Sequence, residues 1–335
     1  MSFGKSKDKK KKEIIVLSKE EITAEKNILK KIWLWNKRRR QIIKKKREEP
    51  QTFVETVISW TKTLVGAVIV VMIINGLVIA SFVVPTGSME KTVMTGDFLF
   101  VNKFIYGPSS PQVIPFLNIP LPYFRLPAFK KPEIGDVIVF IYPGDRDDIK
   151  AREFQYYLKR CVATAGDSLL VKDKKLFVNG KEIPLAPKGQ YDPSIALSPY
   201  NKFETFPPGR GFTRDIYGPI RIPKKDDIID LNQRNWREWE IFIKREGHDI
   251  SFDGVNVYID NKPSTKYTVN RDYCFGMGDN RDNSADSRYW GFIPYENLVG
   301  TPIIVYWSWD TNAPLFNIVE KIKSIRLTRV GNLIH

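Results

Sequence analysis

The sequence predicts an all-β domain carried on one N-terminal transmembrane helix and preceded by a basic tail. Three observations predict it. Thr63 to Val84 is a run of 22 residues without a charge; as a helix at about 1.5 Å per residue it reaches roughly 33 Å, enough to cross a hydrocarbon core. After it come short strand-like runs separated by turn signals, with no long helical period, in a chain holding 22 Pro and 21 Gly. Before it, residues 1–50 hold 18 of the 53 basic residues and only 7 of the 38 acidic ones.

The charge therefore belongs to the tail, and the net +15 argues for no nucleic-acid partner. Residues 1–18 are lysine-rich and read as disordered. Residues 19–48 read as a helix with a partly apolar side (Ile28, Leu29, Ile32, Trp33, Trp35, Ile42, Ile43) amid Lys and Arg. It suits an interface rich in anionic phospholipid, and equally a solvated charge run that sets topology. A cleaved leader is the rival for the apolar run, but the run starts after sixty residues and exceeds an h-region of about 7–15 residues. We place the span at 61–84 and read Asn75 and Gly76 as tolerated within it. The basic residues precede it, so residues 1–60 are expected inside the cell and residues 85–335 outside.

Asp97–Phe104 alternates like a strand, and Asp136–Tyr142 and Arg152–Thr164 read as apolar strands. Gly107–Pro132 is a loop with seven prolines. Ser168–Val171 and Lys175–Val178 form hairpin strands ending at Asn179-Gly180, a pattern that 250–262 echoes. Residues 183–245 are polar and poorly periodic. Tyr273–Gly278 leads into a polar loop, and Pro302–Trp309 reads as the last strand.

Two His and two Cys leave no room for a zinc site or a CxxC motif. Cys161 and Cys274 are expected as buried, free thiols. Pro85-Thr86-Gly87-Ser88 on its own reads as a turn leaving a helix. Ser88 gains interest from two other pieces. Lys159 lies in a strand whose alternation puts Arg160 on the opposite face; burial lowers a lysine pKa, and a neutral lysine can take a serine proton, although a surface lysine is the commoner fate in a strand. Residues 278–291 are dense in short polar side chains that rigidify a loop. In it Asp286 and Arg288 can pair and Ser284 can reach an amine. The hydroxyl of Thr86 and the Ser88 amide could form an oxyanion hole.

These pieces resemble the bacterial type I signal peptidases, membrane-anchored Ser-Lys endopeptidases. The resemblance covers roughly residues 60–180 and 270–310. It rests on PTGSM at 85–89, GDFLFVNKFIYG at 96–107, GDVIVFIYP at 135–143, YYLKRCVATAGD at 156–167 and MGDNRDNSADSRYWGFIP at 277–294. It implies Ser88 as nucleophile, Lys159 as general base, Ser284 bonded to the lysine amine, Asp286 with Arg288 bracing that loop, and Thr86 with the Ser88 amide holding the oxyanion. Phe82, Val84, Met89, Val93, Tyr157 and Leu158 match positions lining the substrate pockets. The implied fold is a signal-peptidase or repressor-protease-like β fold: a catalytic core at 85–167 and 270–312, an inserted β region at 168–269 and a final segment at 313–335. The implied substrates are exported preproteins cut after Ala-x-Ala at the inner membrane, with no metal or cofactor required. The family's usual proline two residues after Met89 is absent, and a changed turn is expected there. Two rivals are a self-cleaving repressor-type protease, opposed by the span and the lack of a DNA-binding module, and an inactive membrane-anchored β module, opposed by the intact Ser88, Lys159 and Ser284.

Overall fold

The computed structural model describes residues 16–25, 27–48, 52–110, 124–191, 204–314 and 316–335. The disordered reading of 1–18 falls almost wholly outside them, as do the middle of the proline-rich loop and part of 183–245. The chain divides into two units, Met1–Ile69 and Val70–His335.

In the first unit α1 (Lys19–Thr23) starts on a capping box of Ser18 and Glu21, and α2 spans Ile28–Glu48. Helix α3 runs from Phe53 to Leu77. Thr52 and Glu55 cap its start reciprocally, Glu55 N donating to Thr52 Oγ1 at 3.3 Å and Thr52 N to Glu55 Oε2 at 3.0 Å. It is long and apolar enough to cross a membrane. The expected 61–84 helix is therefore corrected at both ends. The capping box sets an earlier start, and the helix stops just after Asn75-Gly76, residues that end helices readily. Ile79–Val83 is a strand. A run of Val and Ile has the same hydropathy whether it faces lipid or a sheet.

The strands, in chain order, are β1 (Ile79–Val83), β2 (Asp97–Asn102), β3 (Val137–Ile141), β4 (Tyr156–Ala163), β5 (Ser168–Lys172), β6 (Lys175–Val178), β7 (Lys181–Ile183), β8 (Tyr217–Arg221), β9 (Ile228–Asp230), β10 (Ile250–Phe252), β11 (Val257–Ile259), β12 (Lys262–Pro263), β13 (Lys266–Thr268), β14 (Tyr273–Met277), β15 (Ile293–Pro294) and β16 (Leu298–Ser308). Among the described residues, three further α-helices follow α3: α4 (Trp236–Arg245), α5 (Ser287–Trp290) and α6 (Ile318–Lys323).

Seven strands form one antiparallel sheet in the order β1-β2-β16-β3-β4-β14-β15. Residues 168–268 hold a four-stranded sheet, β7-β6-β5-β8, and two smaller ones. Their hairpins turn at Asp173-Lys174, Asn179-Gly180 and Asp260-Asn261, each pair at positive φ, the primed turn that matches strand twist. Helix α4 shows that the domain is mostly, not wholly, β. Trp236, Trp239, Phe242 and Ile243 recur at helical spacing within its ten residues and pack toward Leu231, Tyr267 and Tyr273. Residues after α6 return to β16, Ile304 bridging Leu333.

Candidate active site

Ser88 sits in a single 3-10 turn, Gly87–Met89, between β1 and β2. As the second residue of that turn, its N–H is among the amides a helix start leaves without an internal acceptor. A type II turn follows: Thr92 N donates to Met89 O at 3.0 Å, with Glu90 at φ −48°, ψ 144° and Lys91 at φ 71°. Proline is fixed near −65° and cannot occupy the Lys91 position of this turn.

The 278–280 stretch clamps the Ser88 turn. Asn280 donates to Ser88 O at 3.1 Å from its backbone and to Gly87 O at 3.2 Å from its side chain. Thr92 Oγ1 donates to Asp279 Oδ2 at 2.6 Å. Lys159, on β4, donates from Nζ to Ser88 Oγ at 2.7 Å. Arg160 points the other way, as alternation requires, and grips Asp279 with two bonds of 2.8 and 2.7 Å. Sequence reasoning missed Arg160, Asp279, Asn280 and Thr92; their types were visible, but a pairing across 119 residues leaves no local signal.

Lys159 is 3% exposed. Burial disfavours its ammonium and lowers its pKa from 10.5 to about 8; Arg288 pushes the same way, while Asp286 and Asp279 oppose. Burial alone would raise the Asp286 pKa, but Arg288, the Gly278 N–H and Lys159 outweigh it and hold the carboxyl below its ordinary value. Arg288 Nε and Nη2 each donate to Asp286 at 2.8 Å.

Linkage fixes how Lys159 affects stability. Its folded pKa lies below its unfolded one, so the unfolded chain holds the proton more readily. Below about pH 8 both states are protonated and the cost to the fold is complete; the cost fades as pH rises from about 8 to 10.5. Lys159→Met keeps the stem and discards the charge, and is expected to be more stable than wild type by about 3 kcal/mol at pH 6, less at pH 9. Thermal melts at the two pH values check this. A variant less stable at pH 6, or an advantage that grows at pH 9, would mean Lys159 is held as a paired cation.

Ser284 departs from expectation. It is 1% exposed, yet its hydroxyl has no hydrogen-bond partner, so the bond to the Lys159 amine is not made. The hydroxyl lies against Gly278, where an added Cβ would come within 2.2 Å of Ser284 Oγ and 2.5 Å of Ser88 O. Only glycine lets these segments approach so closely. Thr86 is exposed on the rim, and its side chain caps nothing.

A cleft of about 570 Å³ opens beside Ser88. Phe82, Val84, Met89, Tyr157 and Leu158 line it, with Leu99, Val139 and Ala285. Val93 does not. It folds back beyond the type II turn, donating to Met89 O at 2.8 Å, and is fully buried with Leu99 and Val101. Among the described residues β1 pairs within the sheet only with β2, and Tyr156–Leu158 of β4 only with β3, so the cleft lies between two strand edges that none of them covers. Cys161 and Cys274 are free and buried, as expected.

The family model for signal peptidase, peptidase S26, matches residues 57–307. The chain is 28% identical to signal peptidase I of Helicobacter pylori (strain ATCC 700392 / 26695) over 270 residues, 76% of this chain and 84% of that one. It is 31% identical to signal peptidase I of Rickettsia massiliae (strain Mtu5) over 279 residues, 80% and 90%. Among solved structures, a signal peptidase I from Enterococcus faecalis V583 aligns with 52% of this chain and 98% of its own at 20% identity and a TM-score of 0.23. The chain belongs to the signal peptidase family, peptidase S26.

Proposed function

We propose that Ser88 and Lys159 are the catalytic dyad of this chain, a serine endopeptidase that removes signal peptides from preproteins. The observation that carries the dyad is the 2.7 Å contact between Lys159 Nζ and Ser88 Oγ, both buried beside an apolar cleft. Lys159, neutral, accepts the Ser88 proton, and Ser88 Oγ attacks the scissile carbonyl. The oxyanion meets the Ser88 N–H and the Thr86 hydroxyl. Protonated Lys159 gives its proton to the leaving amine, then activates a water that hydrolyses the ester. Asp286 and Arg288 fix the loop behind the lysine.

An extended substrate beside β1 and β4 presents alternate side chains to one face, so residues −1 and −3 enter the cleft together. The cleft lining of Phe82, Val84, Leu99, Val139 and Leu158 is apolar, which suits the methyl side chains of an Ala-x-Ala site. The apolar helix α3 anchors the enzyme in a bacterial inner membrane, its basic tail cytoplasmic against anionic phospholipid and its β domain outside.

Sealed membrane vesicles of both orientations test substrate and topology together. Right-side-out vesicles are expected to cut an added preprotein with Ala at −1, and inverted ones to cut it only after detergent. Leu at −1 should block cleavage in both. Cleavage by inverted vesicles alone would reverse the topology, and equal cleavage of the Leu substrate would remove the small-residue rule.

A further inference from the structure

Lys91 lies in the left-handed region at φ 71°, where a residue other than glycine is strained and persists only if its surroundings over-determine it. That strain sits three residues from Ser88. Much of the hold on this stretch comes from the other end of the sequence. Arg329 donates from Nη2 to Thr92 O at 3.2 Å and pairs with the Asp97 carboxylate. Arg326 donates to Thr95 O. Asp97, fully buried, also accepts the Met94 N–H at 2.9 Å and the Ser308 hydroxyl at 2.7 Å.

The same segment then runs along β16. Gly331 N donates to Val305 O at 2.9 Å and Ile334 N to Ile303 O at 3.0 Å. Its last contact is the His335 carbonyl, which accepts from Arg160 Nη2 at 3.0 Å. Arg160 follows Lys159 directly. One ten-residue segment therefore touches the end of the type II turn that follows the nucleophile and the strand that carries the base.

We propose that Arg326–His335 is a strap that fixes Ser88 relative to Lys159, with Arg329 as its main positioning residue; this rests on the dyad reading above. The segment lines none of the cleft, so its loss should act on turnover and not on binding. Misplacement of reacting groups by about 1 Å can cost on the order of a hundredfold in rate.

The test is cleavage kinetics of a preprotein by the full chain in detergent, with melting curves. Arg329→Gln is expected to lower kcat by about tenfold or more while KM changes less than about twofold. That variant leaves Asp97 unpaired and can lose stability, so Asp97→Asn with Arg329→Gln is measured beside it. The double variant should melt closer to wild type and stay slow, because Thr92 O still lacks its guanidinium. Wild-type kcat in the double variant, or a change confined to KM, would overturn the strap. Ser88→Ala separates the two ideas: if it still cleaves, the dyad reading fails; if it is inactive while the double variant runs at wild-type speed, the strap alone fails.

Discussion

Ser88→Ala and Lys159→Ala are each expected to lower preprotein turnover by about 10⁴-fold or more, and combining them is expected to cost almost nothing further. Residues that act as a unit are strongly non-additive, because losing either partner already removes the activated nucleophile. On the dyad proposed above, the 2.7 Å hydrogen bond between Ser88 and Lys159 supports treating them as such a unit. Lys159→Arg should fail equally, since a guanidinium stays protonated. Steady-state cleavage of a purified preprotein by the four variants is the measurement. A Lys159→Ala enzyme near wild-type rate would remove the lysine from the mechanism, and additive losses would show two independent roles.

Arg288→Met should cost about 3–5 kcal/mol of stability, because breaking a buried ion pair strands the remaining charge. The stranded group is Asp286, 0% exposed. Arg288 also donates to Arg281 O at 2.8 Å and Arg214 O at 3.2 Å, so loop contacts go with it. A second effect follows on the base. Asp286 favours the Lys159 ammonium and Arg288 opposes it. Without Arg288 the lysine pKa moves up from about 8, and the rise of activity with pH moves to more alkaline values. Urea unfolding and a pH–rate profile measure the two effects. Asp286→Leu with Arg288→Met should regain much of the stability, since an apolar pair needs no compensating charge. A single Arg288→Met variant within 1 kcal/mol of wild type, by the same urea curves, would mean the pair does not brace the loop.

The parts of the site set by local pattern were legible: Ser88 in its turn, Lys159 opposite Arg160 on a strand, and the Asp286–Arg288 loop. So were the hairpins, because Asn179-Gly180 and its echo announce left-handed turn positions. Three things were not. The end of α3 was hidden because Val78–Val84 is as apolar as the helix before it. Helix α4 was hidden because ten residues between polar flanks give a short period little weight. The failures at Val93 and Ser284 share one cause. Sequence places a residue near a site, but packing decides which way it faces, and here the type II turn and Gly278 decided it.

Between α3 and β1 there is one residue, Val78. Its N–H is bonded to Ile74 O and its carbonyl to Lys103 N, both at 2.9 Å. That leaves no slack in the tether. From Leu77 to Ser88 is eleven residues, about 36 Å at full extension, and five of them are locked in the sheet. On the membrane reading proposed here, the chain itself keeps the nucleophile within that reach of the helix end, and encounters are confined to a thin two-dimensional layer. The enzyme then acts as a gauge: a scissile bond is cut when it emerges in that layer, and an identical sequence carried farther out stays out of reach.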